Sequence, residues 1–400
     1  VCSSDLMIFD EEHHYNFTPE LATETLQDVV SEPLIKAEQL MLSGMKSAMY
    51  MEPFKLENRR YIGNKAKLVD WIMGLIDENT ENVDSFCDIF AGTGSVTKRA
   101  LQRYRHVVMN DFLYSNNIIY KAFYGAGYWD RDKLCRILDH YNQIDLFELE
   151  ENYFSKNFGD KYFERSNAKM IGYIRQDIEE HKANLTEKEY CILLASLIYS
   201  IDRIANTVGH FDAYIKKDIK PQRLYIKLVD ANSYPNVAIY KEDSNLLVRN
   251  IYADVTYMDP PYNSRQYCRF YHLYETLVKW DKPKLYGVAL KPKAENMSGY
   301  CTAKAVAYFE DIVRNINSKY IVTSYNNTYN SKSKSSENKI RLEDLENVLG
   351  KCGETSRFEC SYAYFNAGKT SFDDHKEFLF ITKVDNDKRS KAFAPLLRWG

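Results

Sequence analysis

The sequence predicts an α/β fold, in which an open sheet carries helices and is interrupted by a mostly helical insertion. Apolar strand-like runs alternate with helix-like stretches, beginning with a strand over 84–90, a helix over 95–104 and a strand over 106–110. Asp259, which ends a later strand-like run, follows Gly92 by 167 residues. Three strand–helix units would need only about 90 residues, at about 30 each. The excess therefore predicts an inserted lobe.

The composition fits a chain with a sizeable core and argues against several classes of protein. With 400 residues and 45% apolar content, the chain is long enough for two or three domains, or for one domain with a large insertion. The net charge of −3 gives no overall basic field for nucleic acid. The eight cysteines lack paired C-x-x-C spacing, which predicts no metal site. The chain has neither an 18-residue apolar run nor a signal peptide, so we expect it to have no membrane segment and to be cytoplasmic.

Residues 60–69 read Arg-Tyr-Ile-Gly-Asn-Lys-Ala-Lys-Leu-Val and place a glycine turn before a predicted helix over 65–76. Lys65 could pair with a ligand carboxylate, and the ring of Tyr61 could cover a cationic centre. A basic, solvated helix start is the alternative.

The stretch 86–97 runs from an apolar strand through a Gly-x-Gly turn into a helix. Gly92 and Gly94 would let a ligand approach the backbone, and the helix start offers free N–H groups. Thr97 stands where the dinucleotide fingerprint has its third glycine, so NAD fits poorly. The next strand ends at Asp111, whose carboxylate could take the two hydroxyls of a ribose. An ordinary turn is the alternative at both places.

The excess residues fall mostly between 118 and 228 and show a helical pattern. The predicted helices span 132–141, 144–157, 166–180 and 186–205. After the insertion, strands are predicted near 237–241, 254–258 and 319–324, with a final strand pair near 357–366 and 377–383.

The sequence Asp259-Pro260-Pro261-Tyr262 makes a stiff loop after the apolar run 255–258. Open α/β sheets bind ligands at such carboxyl ends of strands. The Asp259 side chain and the Pro260 carbonyl can accept hydrogen bonds from an NH2 group, and Tyr262 can stack on a planar base. The loop thus indicates methylation of an exocyclic amine, with a proline-rich turn as the alternative.

Together these blocks resemble the Dam-like class of DNA adenine-N6 methyltransferases, and they occur in the family's order. The matching positions are Tyr61, Gly63 and Lys65, then Phe90, Gly92 and Gly94, then Asp111, then Asp259, Pro260, Pro261 and Tyr262. The resemblance covers about residues 58–384. The continuation over 263–275 is most similar to the methylases of FokI-type type IIS restriction systems.

The resemblance implies a Rossmann-like class I methyltransferase sheet with a mostly helical inserted target-recognition lobe. It also implies S-adenosyl-L-methionine as methyl donor and no metal, with residues 259–262 as the catalytic loop. Asp243 would read the cofactor adenine, although Glu242 stands beside it. The implied cofactor-binding residues are Tyr61, Gly63, Lys65, Phe90, Ala91, Gly92, Thr93, Gly94, Asp111, Asp243 and Asp259.

The implied partners are double-stranded DNA, from which the target adenine must be flipped out, and a cognate restriction endonuclease acting on the same site. The expected organisation is an N-terminal extension (1–57), a cofactor half (58–117), an inserted target-recognition domain (118–228), a catalytic half (229–384) and a tail (385–400).

Basic residues in and after the insertion are candidates for DNA contact, with ordinary solvated surface as the alternative. The candidates are His210, Lys216, Lys217, Lys220, Arg223, Arg265 and Arg269. For His210, a structural role is the simpler expectation. The Ser- and Lys-rich segment 331–338 is expected to be a loop, either an ordinary one or one that closes over DNA.

Two terminal segments carry separate expectations. Residues 1–6 match a translation of common sequencing-adapter bases and are expected to be artificial. Residues 393–400 resemble the opening of a second cofactor block, Arg-Trp-x-Gly-Gly-Lys, cut short, or else form an apolar tail.

Other functions stay open from the sequence alone. They are RNA adenine methylation, protein glutamine methylation, which usually uses Asn in place of Asp259, and an inactive DNA-binding subunit.

Overall fold

The computed structural model describes residues 47–217, 219–327, 338–361 and 376–393. Within that part of the chain, the centre of the molecule is a seven-stranded sheet with the order β3-β2-β1-β4-β5-β7-β6. The strands are β1 (Ser85–Asp88), β2 (His106–Asn110), β3 (Val237–Tyr240), β4 (Val255–Met258), β5 (Tyr320–Asn326), β6 (Gly353–Ser361) and β7 (Lys376–Val384). Strand β7 runs antiparallel to both of its neighbours, and the other strands run parallel to one another. This open sheet confirms the predicted Rossmann-like α/β fold.

Helices cover both faces of the sheet. Those of the first half are α1 (Val69–Asn79), α2 (Ser95–Ala100), α3 (Tyr114–Phe123), α4 (Arg131–Gln143), α5 (Tyr153–Phe158), α6 (Arg165–Glu180) and α7 (Glu187–Ile204). Those of the second half are α8 (Ser244–Leu247), α9 (Tyr267–Phe270), α10 (His272–Lys279), α11 (Ala305–Asn315), α12 (Leu342–Gly350) and α13 (Asn386–Ala392).

The inserted helices α4 to α7 lie between β2 and β3 and join the hydrophobic core on one side of the sheet. The long helix α7 is buried over most of its length. It starts with a capping box, in which the Thr186 side chain accepts from the Glu189 N–H and the Glu189 carboxylate accepts from the Thr186 N–H. Its apolar residues share one cluster with Phe86 and Val107 of the sheet. A second cluster, built around Cys87 and Ile321 with α11 and α12, covers the other face.

The strand register brings the predicted motifs to one edge. Asp88 at the end of β1 pairs with Met109 of β2 and with Tyr257 of β4. The carboxyl ends of these parallel strands are therefore level, and the loops that follow them meet at the same edge of the sheet.

Most predicted elements are present, and four differ from their predicted bounds by more than two residues at an end. The helix predicted over 95–104 ends at Ala100. The helix predicted over 65–76 begins only at Val69, because the preceding residues form a turn. The prediction of helix over 144–157 is wrong before Tyr153, since the Asn152 side chain accepts from two backbone N–H groups and starts α5 there. Strand β6 begins at Gly353, earlier than its predicted range, and residues 362–366 of that range lie outside the described part of the chain.

Several predictions cannot be compared with the structure. Residues 1–46, the loop residues 331–337 and the last residues, 394–400, lie outside the described part of the chain. The domain boundaries stay predictions. Across the described ranges, no helix is long and apolar enough to cross a membrane. No group of three or more His, Cys, Asp or Glu residues in those ranges could hold a metal ion.

Candidate functional site

A cavity opens at the carboxyl edge of the sheet, where the loops after β1, β2, β3 and β4 meet. Most residues predicted to bind the cofactor line it. They are Tyr61, Gly63, Lys65, Phe90, Ala91, Gly92, Thr93, Asp111, Asp243 and Asp259, together with Pro261 of the catalytic loop. The predicted residues Gly94, Pro260 and Tyr262 adjoin these positions in the chain but do not line the cavity wall.

The turn after β1 uses a backbone that favours glycine. Gly92 and Gly94 have φ values of 55° and 77°, which side chains with a Cβ rarely adopt. The Gly92 N–H donates to Asp111 Oδ2 over 3.1 Å, and Asp111 Oδ1 accepts from the Leu113 N–H over 2.9 Å. Burial raises the pKa of Asp111, while these hydrogen bonds act in the opposite direction. Each carboxylate oxygen keeps capacity for a further donor, such as a ribose hydroxyl.

Asp88 is a buried carboxylate on the cavity wall that sequence reasoning did not assign. Its Oδ2 accepts from the Thr97 hydroxyl over 2.7 Å, whereas its Oδ1 has no hydrogen-bond partner among the described residues. Burial raises its pKa to about 7. Its place at the end of β1, within the same block as the two glycines, was the available signal.

Tyr61 is held in a stack of aromatic rings. Its ring lies 4.7 Å from that of Tyr271 at an angle of 6°, and 5.5 Å from that of Tyr267 at 23°. The guanidinium of Arg59 lies 4.8 Å from the Tyr61 ring centroid. The Ile62 N–H donates to the Tyr271 hydroxyl over 2.9 Å. The first block is thus fixed by the helices that follow the catalytic loop, and cation covering by Tyr61 stays a prediction.

Lys65 lies between two carboxylates. Its Nζ is 3.4 Å from Asp259 Oδ2 and 3.1 Å from Glu377 Oε2, and all three side chains are largely buried. Burial raises the pKa of Asp259 to about 6, the Lys65 charge opposes this rise, and the Glu377 charge adds to it. The two carboxylates hold the pKa of Lys65 well above its usual value, although burial acts against them. Lys65 therefore stays charged, and its pairing with a cofactor carboxylate stays a prediction.

Sequence reasoning missed Glu377, which comes from β7. It is 312 residues from Lys65 in the chain, and no motif marks it.

Tyr262, the last residue of the catalytic loop, is buried. It is 9% exposed, and its hydroxyl accepts from Asn326 Nδ2 over 2.7 Å. Its ring meets that of Tyr325 edge-on, with 5.2 Å between centroids. The Tyr262 carbonyl also accepts from the Lys339 N–H over 2.5 Å. These contacts hold the loop against β5, and base stacking by Tyr262 stays a prediction.

Two further parts of the cavity wall were given no role from the sequence, although one of them, Gln266, lies within the stretch 263–275. The side chain of Gln266 forms two hydrogen bonds with the backbone of Ser298. Its Nε2 donates to the Ser298 carbonyl over 2.9 Å, and its Oε1 accepts from the Ser298 N–H over 2.8 Å. Tyr300 meets Phe90 edge-on at 5.2 Å and donates its hydroxyl to Asn245 Oδ1 over 2.8 Å.

Asp243 occupies the start of the short helix α8. Its Oδ1 accepts from the Asn245 N–H over 2.9 Å and from the Leu246 N–H over 3.3 Å. Its assigned role toward the cofactor adenine stays a prediction.

The predicted DNA contacts fall into two groups. Lys216, Lys217 and Lys220 are exposed. In contrast, Arg223 donates to the carbonyls of Asn142 and Ile144 over 2.9 and 2.7 Å, and so holds the end of α4.

Arg265, Arg269 and His210 lie nearer the catalytic loop. Arg269 donates to the Pro292 carbonyl over 2.6 Å. His210 stacks on Phe270 with ring centroids 4.9 Å apart, and its Nδ1 accepts from the Asp212 N–H over 3.2 Å. Burial lowers the pKa of His210, and the charges of Arg265 and Lys291 act in the same direction. These contacts give His210 a structural role, and its contact with DNA stays a prediction.

The family model and the most similar curated proteins point to the same family. Residues 61–340 match the model of the D12 class N6 adenine-specific DNA methyltransferase family. The chain is 33% identical to type II methyltransferase M.FokI of Planomicrobium okeanokoites, across 82% of this chain and 53% of that protein. It is 30% identical to type II methyltransferase M.NlaIII of Neisseria lactamica, across 79% and 95%. It is 34% identical to modification methylase StsI of Streptococcus sanguinis, across 72% and 46%. The chain thus spans about half the length of M.FokI and StsI.

Proposed function

This chain belongs to the D12 class of N6 adenine-specific DNA methyltransferases, and on that basis we propose that it methylates adenine in DNA at a specific site. The methyl group of S-adenosyl-L-methionine would pass to the exocyclic nitrogen of an adenine flipped out of the duplex, with S-adenosyl-L-homocysteine as the leaving group and one proton released from the amine. One observation carries the proposal beyond family membership. Asp259 of the catalytic loop lines the same cavity as the glycine turn and Asp111.

The residues present fit the cofactor. The turn at Gly92 allows close approach of a ligand to the backbone, and Asp111 has acceptor capacity for ribose hydroxyls. The Oδ1 atom of Asp88, which has no hydrogen-bond partner within the described ranges, offers a buried acceptor for an ammonium group. When bound, the cofactor supplies an electrophilic methyl group.

The catalytic loop would position the adenine amino group. The Asp259 carboxylate and the Pro260 carbonyl accept hydrogen bonds from its two hydrogens, which turns the nitrogen lone pair toward the methyl group. Catalysis of this kind depends mainly on position and electrostatics. Asp259 acts as an acceptor, so it must be ionised, and the neighbouring Lys65 ammonium favours that form.

The wider role we propose is protection of host DNA in a restriction–modification system, with a cognate endonuclease that acts on the same site. The relatives named above support this, since M.FokI and M.NlaIII are type II methyltransferases. In this proposal the chain works in the cytoplasm and binds double-stranded DNA.

Transfer of a tritiated methyl group from S-adenosyl-L-methionine tests the substrate class. The purified chain is incubated with duplex DNA from a methylation-deficient host, with total RNA, or with protein from the same host. Label in DNA as N6-methyladenine is the expected result, and Asp259→Ala should incorporate none. Label in RNA or protein alone would overturn the proposal, and so would full activity of the variant.

A further inference from the structure

Arg59 is a buried cation close to the cavity. It is 4% exposed and precedes Tyr61 by two positions in the sequence. Within the described ranges its guanidinium forms no ion pair, and its one side-chain hydrogen bond goes to Asn116 Oδ1 over 2.8 Å. Arginine keeps its charge, and burial of a charge without an acidic partner costs free energy. The stability of the fold therefore does not account for a cation at this position.

Asn116, which accepts the hydrogen bond from Arg59, lies in α3 and is fully buried. Because arginine has only donors, the amide oxygen of Asn116 must face Arg59, and the amide nitrogen points to the other neighbours. This nitrogen donates to the Tyr61 hydroxyl over 3.3 Å. The Asn116 side chain also forms a hydrogen bond with Asp111. Arg59 thus fixes which end of the amide is presented to Asp111 and Tyr61.

The same contacts act on the charge of Asp111. Burial raises the pKa of Asp111, whereas the hydrogen bond from Asn116 and the positive charge of Arg59 both oppose that rise. An ionised carboxylate accepts stronger hydrogen bonds than a neutral carboxyl group does. Arg59 and Asn116 therefore favour the form of Asp111 that would bind the hydroxyls of a ribose.

Arg59 acts on the cavity from behind its wall. Tyr61 and Asp111 line the cavity, whereas Arg59 and Asn116 do not. The Arg59 guanidinium also lies 4.8 Å from the centroid of the Tyr61 ring, so it contacts one wall residue directly and reaches both through Asn116. A bound cofactor would touch Tyr61 and Asp111, and the influence of Arg59 would pass through these two residues.

We propose that Arg59 is a positioning residue for the methyl donor, because it holds the Asn116 amide so that its nitrogen donates to Asp111 and presents an ionised Asp111 carboxylate to the ribose hydroxyls. This inference rests on the proposed function, in which Asp111 binds the cofactor ribose. The buried charge of Arg59, which the fold alone does not explain, then serves cofactor binding.

Asn116→Asp separates this role from a purely structural one. The new carboxylate still accepts from Arg59 and pairs with its charge, so the melting temperature should stay near that of the wild type. It cannot donate to Asp111, and the two negative charges repel each other. Binding of S-adenosyl-L-homocysteine, measured by isothermal titration calorimetry, should therefore weaken about tenfold or more. An unchanged Kd would overturn the proposal, because a purely structural contact predicts that result.

Asn167→Asp is the matched control for this substitution. Asn167 lies in α6, is 2% exposed and donates to the Gln222 carbonyl over 2.7 Å, but it does not line the cavity. The control should lower the melting temperature and leave the Kd within about twofold of the wild-type value. A loss of affinity in Asn167→Asp equal to that in Asn116→Asp would overturn the proposal, because general destabilisation would then explain both.

A double-mutant cycle tests the connection from Arg59 to Asp111. Arg59→Met should weaken binding about tenfold or more in the wild-type chain, but less than about twofold in the Asp111→Asn variant, which lacks the carboxylate. Arg59→Lys keeps the charge and a donor, so its Kd should lie within about threefold of the wild-type value. Equal losses in both backgrounds would overturn the proposal.

Two other outcomes have defined meanings. If Arg59→Met does not fold, the result for Asn116→Asp decides. If the folded wild-type chain does not bind S-adenosyl-L-homocysteine, the proposed function itself fails, and the role of Arg59 fails with it.

Discussion

The Nζ atom of Lys65 lies 3.4 Å from Oδ2 of Asp259, so the first block of the chain and the catalytic loop meet directly at the cavity wall. Glu377 approaches the same Nζ atom from β7, at 3.1 Å. The charge state of Asp259 therefore depends on two neighbours of opposite sign.

The rate of methyl transfer should fall as the pH drops through about 6, the value to which burial raises the pKa of Asp259. The ionised carboxylate is the form that accepts from the amino group, so activity is present above this pKa and lost below it. Single-turnover rates between about pH 5 and about pH 8 measure this. A rate that is flat across the range would contradict the assignment.

Two substitutions should move this pH profile in opposite directions. Glu377→Gln removes a negative neighbour, which lowers the pKa of Asp259 and moves the acid limb to lower pH by roughly one unit. Lys65→Met removes the positive neighbour, so the limb should move to higher pH by a similar amount. Shifts in the same direction in both variants would show that Lys65 and Glu377 do not control Asp259.

Asp111→Asn should weaken binding of S-adenosyl-L-methionine roughly tenfold or more, because hydrogen bonds to a charged acceptor are stronger than those to an amide. Isothermal titration calorimetry gives the Kd. Since the amide still has an oxygen to accept from one backbone N–H, the melting temperature serves as the control for folding. Wild-type affinity in the variant would remove Asp111 from the cofactor site.

Gly94→Ala should destabilise the fold by about 1–2 kcal/mol, because its φ of 77° is a left-handed conformation that a Cβ disfavours. Gly74→Ala is the matched control. Gly74 lies inside helix α1, where an added Cβ meets nothing within 4 Å. Alanine there should stabilise the fold by up to about 1 kcal/mol. Urea unfolding of both variants checks the pair, and the same sign for both would contradict the backbone argument.

The strands could be predicted from the sequence because local patterns of apolar residues carry that information. The runs that became β1, β2 and β4 are apolar and end at Asp88, Asn110 and Met258, just before the residues that were singled out. Parallel strands buried on both faces have this signature.

Contacts between distant segments could not be predicted in this way. The ion pair of Lys65 with Glu377 joins the first block to the antiparallel strand β7. The ring of Tyr61 stacks on that of Tyr271. The neighbouring Ile62 N–H donates to the Tyr271 hydroxyl, from a residue 209 positions away in the sequence. The prediction of a helix over 144–152 was also wrong. The spacing of apolar residues there fits a helix, but the Asn152 side chain caps a helix that begins only at Tyr153.

The most direct test of the central claim is single-molecule sequencing of DNA from a methylation-deficient strain that expresses this chain. The expected result is N6-methyladenine at one short sequence motif, with no signal from cells that express Asp259→Ala. Methylation that persists in the Asp259→Ala variant would contradict the role of the catalytic loop. Absence of N6-methyladenine in DNA, with the wild-type chain folded and binding S-adenosyl-L-methionine, would contradict the claim that DNA adenine is its substrate.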